Sequence, residues 1–147
     1  MICPDVNLLL YAHNADFPEH ERAKKWLEES FSSAAPVGLC HVVVLGFIRL
    51  ATNGKIFPNP LSLDQAVGLV DSWLAQPNVR LVPPSESHWQ VLKKMLSAGR
   101  AGGNLTTDAH IAALASEYGM VVHSNDADFA RFPGVSVRNP LLDIPAA

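Results

Sequence analysis

Long amphipathic stretches with helical spacing alternate with short apolar runs along this chain, and that alternation constrains the fold more than any other feature. Helices interleaved with short buried strands yield a parallel sheet covered by helices on both faces. The fold class is therefore α/β. Five strand segments are expected, at Met1–Val6, Pro36–Leu39, Asn78–Val82, Met120–His123 and Val135–Val137, the last at an edge.

Between them, Asn7–His13 turns helical, and Phe17-Pro18-Glu19 opens an amphipathic helix to Phe31 with Ala23, Trp26, Leu27 and Phe31 on one side. His41–Ala51 fits a strand by its Val42-Val43-Val44 run and a helix by its length. The spacing of Val43, Phe47 and Leu50 favours helix. Thr52–Pro60 reads as a loop, and Ser62 or Leu63 to Ala75 as helix. Ser85 is the expected N-cap of a helix to Ala98, with Trp89, Leu92 and Leu96 inward and Lys93 and Lys94 outward. Gly99–Asn104 reads as a flexible loop, and Thr106 or Thr107 as the cap of a helix that stops at Tyr118-Gly119. Ser124–Phe129 reads as a loop, and Asn139-Pro140 opens a tail.

With 147 residues, 48% of them hydrophobic, the chain can bury one full core, so one domain over residues 1–147 is expected. A net charge of −3 argues against a protein that coats nucleic acid, which needs an excess of Lys and Arg. A nucleic-acid partner would need local basic patches. Cys3 and Cys40 form neither a disulfide framework nor a zinc spacing and read as buried thiols. The first residues lack a positive region and meet Asp5 at once, unlike a signal peptide, and no uncharged apolar run reaches membrane-spanning length. A cytoplasmic protein is expected.

Four aspartates stand at element ends: Asp5 after the first strand, Asp108 in the first turn of a helix, and Asp126 and Asp128 after the Met120–His123 strand. Loops leaving the carboxyl ends of parallel strands meet at one edge of the sheet, where ligands bind. Clustered carboxylates repel one another unless a cation neutralises them, and an all-oxygen set suits Mg2+ or Mn2+ better than Zn2+. Such a site can activate water and stabilise charge on a phosphate, which is phosphodiester chemistry. Each acid also has a local explanation. Asp108 complements a helix dipole, Asp126 and Asp128 suit Asx turns, and Asp5 can cap the following helix.

Three blocks carry a resemblance: Asp5 to Ala12, Gly103 to Ala115 with Asp108 inside it, and Ser124 to Phe129. In order and spacing they resemble the hallmark blocks of VapC-type PIN-domain ribonuclease toxins, and Phe47–Asn53 is similar to a block of the mycobacterial-type members. The resemblance implies a PIN-like α/β fold, an endoribonuclease dependent on Mg2+ or Mn2+, a homodimer, and inhibition by a cognate VapB-type antitoxin. It matches Asp5, Asp108 and Asp126 to the family's first, third and fourth acids, makes Asp128 an accessory acid, and gives Ser124 and Asn7 supporting roles. The second family acid, often a glutamate directly before the Phe-x-Arg block, is replaced by Gly46.

Arg49 fits either an ion pair with a site carboxylate or a phosphate contact. Lys93, Lys94 and Arg100 fit a solvated helix face, or an RNA phosphate contact shortly before the Asp108 helix. The six histidines show no metal-ligand spacing. Two rivals stand beside the nuclease. A Mg2+-dependent phosphatase of the haloacid-dehalogenase type wants a second Asp where Asn7 stands, and a binding protein that lost catalysis through Gly46 is the non-enzymatic alternative.

Overall fold

The computed structural model describes residues 1–144. Five strands form one all-parallel sheet: β1 (Ile2–Pro4), β2 (Val37–Cys40), β3 (Val79–Val82), β4 (Val121–His123) and β5 (Ser136–Arg138), in the order β3-β2-β1-β4-β5. Six α-helices flank it: α1 (Val6–Ala12), α2 (His20–Phe31), α3 (His41–Ala51), α4 (Leu63–Leu74), α5 (His88–Gly99) and α6 (Thr106–Tyr118). The α/β class with a short parallel sheet is as the alternation predicts.

Chain order and sheet order reverse direction between β1 and β4. Because such crossovers are right-handed, the connections through α1 to α4 fall on one face and those through α5 and α6 on the other. The packing agrees: α1 lies against α2 and α3, α3 against α4, and α5 against α6. Reversal leaves a crevice at the carboxyl ends of β1 and β4, the place where open parallel sheets bind ligands.

Cys3, Leu39 and Val122 are fully buried in the sheet, and Phe47, Leu8, Leu9, Ile111 and Leu114 close over it. Burying a large apolar side chain stabilises the fold by about 1.5–3 kcal/mol. Trp26 carries a polar handle, and its indole N–H donates to His123 Nδ1 at 3.1 Å. Burial holds the His123 imidazole down at about 4, so it accepts that bond as a neutral ring.

Several local expectations are corrected. Strand β1 ends at Pro4, and Val6 already begins α1. Helix α2 begins at His20, not at Phe17. The N-cap of α5 is Ser87, without a side-chain bond, while Ser85 donates its N–H and its hydroxyl to Glu117. Neither Thr106 nor Thr107 caps α6, because a 3-10 turn at Gly103–Leu105 runs straight into it and the Thr106 hydroxyl reaches back to the Ala101 carbonyl at 3.2 Å. Gly99–Asn104 is thus shorter and more structured than a loop. Trp89 is 58% exposed, since His88 takes the inward place in the first turn of α5 and the next residue lies about 100° around the helix. The Ser124–Phe129 segment contains the start of a second 3-10 turn, Ala127–Arg131. Gly119 ends α6 at φ +64, the left-handed cap that glycine adopts without strain.

Candidate metal centre

Asp5 follows β1 directly and extends its ladder, donating its N–H to the His123 carbonyl at 2.9 Å. Its carboxylate is buried and committed on both sides. One oxygen accepts the Val6 N–H at 2.7 Å as the N-cap of α1, and the other accepts the Ser124 hydroxyl at 2.7 Å. Ser124 directly follows β4, so this bond ties the two banks of the crevice together. The same Ser124 oxygen accepts the Asp126 N–H at 2.9 Å and a bond from the Asn7 amide at 3.3 Å. Asn7 in turn accepts the Asn125 N–H at 3.4 Å. Ser124 and Asn7 thus join Asp5 to the loop that carries Asp126.

Asp126 caps the 3-10 turn after β4 by accepting the Asp128 N–H at 2.8 Å. That turn aims both side chains toward the first turn of α6, where Asp108 stands. Carboxylate oxygens of Asp108, Asp126 and Asp128 lie within 4.8 Å of one another. Asp5 is not part of that grouping, although it is close enough for its charge to act on Asp108.

Electrostatics show the strain of this arrangement. Burial first, then the charges of Asp5, Asp126 and Asp128, push the Asp108 carboxyl up to about 6, with Arg131 opposing them. Burial also raises Asp5, against the lowering effect of its bonds from Ser124 and Val6. A site that holds carboxyls above their ordinary range in the absence of a cation is one a cation would relieve. The donors are all oxygens, so a hard divalent ion fits the residues present.

Beside the cluster opens a cavity of about 290 Å³ lined by Asp5, Val6, Gly46, Arg49, Thr107 and Asp108 among others. Gly46 therefore faces the same space as two of the acids. A Cβ at this position would meet Val6 Cγ2 at 3.5 Å, an ordinary contact, so the space where the family acid would project is open. Arg49 is exposed at the rim and makes no ion pair among the described residues. Lys93 and Lys94 are exposed on α5 and do not line this cavity, with Lys93 lying 6.0 Å from the Trp89 ring centre. Arg100 is exposed at the left-handed C-cap of α5. A larger depression of about 660 Å³, near Met1, Pro36 and Asn78, lies at the opposite end of the strands and has no acidic cluster among the described residues.

Arg131 was not singled out by sequence. It pairs with Asp128 at 3.6 Å and donates to the Gly99 carbonyl at 3.0 Å, joining the acidic turn to the end of α5. That junction is close-packed: a Cβ on Gly99 would come within 2.7 Å of the Phe132 ring, so only glycine fits without displacement. The i,i+3 spacing of Asp128 and Arg131 was the available signal.

Comparison with known proteins agrees with this geometry. Residues 2–135 match the family model described as PIN domain. Ribonuclease VapC37 of Mycobacterium tuberculosis is 43% identical over 136 residues, spanning 92% of this chain and 94% of its own. Ribonuclease VapC33 of the same organism is 38% identical over 143 residues, spanning 97% of this chain and 100% of its own. Among solved structures, the sarcin-ricin loop cleaving toxin VapC20 of M. tuberculosis superposes with a TM-score of 0.67 at 19% identity, over 92% of this chain and 99% of that one. The chain belongs to the PIN-domain family, within its VapC branch.

Proposed function

We propose that this protein is a divalent-metal-dependent endoribonuclease and the toxin of a VapB–VapC pair. The observation that carries the reading is the meeting of Asp108, Asp126 and Asp128 at the crevice between β1 and β4, in a chain with ribonuclease relatives. Asp108, Asp126 and Asp128 would hold Mg2+ or Mn2+, and Asp5 joins them from the buried side. A hard cation bound there supplies Lewis acidity toward an RNA phosphate and acidifies water. Asp5 and Ser124 keep the two strand ends in register, so that Asp126 is presented at a fixed place. Ser124 and Asn7 together hold the loop after β4. Arg49 at the rim of the cavity and Arg131 beside Asp128 offer guanidinium groups to RNA phosphates. Lys93, Lys94 and Arg100 extend the possible RNA track along α5 and its cap.

Gly46 leaves the cavity short of one carboxylate, which favours a reduced ligand set completed by water and RNA phosphate. The same observation supports the second reading, a PIN protein that binds RNA or antitoxin with weakened catalysis. The partners we infer are a cytoplasmic RNA, a VapB-type antitoxin and a second copy of the chain. VapBC complexes occur among the structural neighbours, and no helix among the described residues is long and apolar enough to cross a membrane. A bidentate arginine from the antitoxin would suit the acidic cluster.

The test is expression in a bacterial host with 5′-end mapping of cellular RNA. Growth arrest with discrete new 5′ ends, both absent in Asp126→Asn and both suppressed by co-expressing the neighbouring antitoxin, is the expected result. Arrest without new 5′ ends would favour the binding reading, and unchanged ends in Asp126→Asn would refute the site.

A further inference from the structure

Away from the acidic cluster, a second group of titratable side chains is assembled between α5 and α6 and serves no purpose in the chemistry above. Glu117, with a side chain only 6% exposed, accepts the N–H and hydroxyl of Ser85 on one oxygen. Its other oxygen holds His88 Nδ1 at 2.5 Å. His88 Nε2 then meets His110 Nδ1 at 2.8 Å, with the rings edge to face and their centres 4.7 Å apart.

A carboxylate only accepts, so His88 Nδ1 carries a proton and its Nε2 is directed at His110. One proton lies between the two facing nitrogens, whichever ring owns it. Two imidazole lone pairs therefore converge on one point, and one of the rings is held in orientation from behind by a buried carboxylate. This is the outer-shell arrangement that fixes the tautomer and raises the basicity of metal-binding histidines. Solvent reaches the pair, since His88 is 12% exposed and His110 is partly buried.

We propose that His88 Nε2 and His110 Nδ1 form a binding site for a borderline divalent cation of the Zn2+ class, with Glu117 as the carboxylate that orients His88. The ion takes the place of the shared proton, which solvent carries round to His110 Nε2 so that both rings stay neutral, and water fills the remaining positions. Zn–N bonds of about 2.0–2.1 Å at a tetrahedral angle need the nitrogens about 3.3 Å apart. Opening the pair from 2.8 Å to that distance is a small side-chain movement at the first residue of α5. Imidazole nitrogen separates this site from the all-oxygen cluster, which selects harder ions. The bound ion would staple the start of α5 to α6, the helix that carries Asp108. The proposal does not depend on the ribonuclease reading.

The experiment is a Zn2+ titration of the full chain in excess Mg2+, followed by imidazole 15N NMR. The signals of His88 Nε2 and His110 Nδ1 are expected to move together and saturate at one ion per chain, with His13, His20, His41 and His123 unmoved. His88→Gln and His110→Gln should abolish this binding, Glu117→Gln should weaken it by about 10–100-fold, and Asp126→Asn should retain it. The wild-type titration decides the matter even if a variant fails to fold. Static His88 and His110 signals at saturating Zn2+, or binding lost only in Asp126→Asn, would overturn the proposal.

Discussion

Asp108→Asn should stabilise the metal-free protein at neutral pH while destroying its affinity for metal. Raising a carboxyl from 3.8 to about 6 corresponds to about 3 kcal/mol of differential interaction between its two forms. Asp108 is half-buried, so solvent screening reduces this to about 1–2 kcal/mol. The sign follows from linkage. Below 3.8 the group is protonated in both states and contributes no penalty. Between 3.8 and about 6 the unfolded chain releases its proton while the folded chain keeps it, so stability falls as pH rises, and above that the loss is complete. Urea unfolding in EDTA at pH 4, 5, 6 and 7, with wild type and variant side by side, measures the difference while other groups cancel. The two should be nearly equal at the acid end, the variant should lead by about 1–2 kcal/mol at pH 7, and saturating Mn2+ should reverse the order. A constant difference across the pH series would refute the claim that the neighbouring acids and burial strain Asp108.

Three further outcomes follow from the same contacts. Gly46→Glu and Gly46→Gln both gain about 0.5–1 kcal/mol of helix propensity, so their difference isolates the added charge. The Glu form should melt below the Gln form in EDTA and above it in Mn2+, and coincident melts would mean that residue 46 does not sense the acids. Ser124→Ala leaves the buried Asp5 oxygen without its donor and should cost about 1–3 kcal/mol, measured by urea unfolding; a loss within error would mean that Asp5 finds another partner. Arg131→Gln removes the cation that opposes the rise of Asp108, so its carboxyl, followed by 13C NMR in EDTA, should titrate above about 6. An unmoved midpoint would show that Arg131 acts only on Asp128.

The acids of the candidate site were legible because their positions follow from where elements end. Asp5 stands between an apolar run and a helical one, and Asp126 and Asp128 follow another apolar run. The sequence also offers each acid a local task, and at Asp126 that task coexists with clustering, since it caps its turn while facing Asp108; Asp5, outside the grouping, caps α1 while bound to Ser124. Trp89 was misplaced because apolar spacing counts it with Leu92 and Leu96, whereas the inward place is taken by His88, whose partners Glu117 and His110 are more than twenty residues away. Pairings at such separation leave no periodic mark. Arg131 escaped for a similar reason, since its bond to Gly99 exists only after α5 and the second 3-10 turn have packed.

The central claim is that the acid cluster supports RNA cleavage through the divalent ion it holds. Titrating the purified protein with Mn2+, while reading bound ion by electron paramagnetic resonance and cleavage of total bacterial RNA in the same samples, tests it most directly. Cleavage should rise in step with the site's occupancy in wild type, with neither signal appearing in Asp126→Asn. Undiminished cleavage in EDTA, or cleavage by Asp126→Asn at the wild-type rate, would contradict the account.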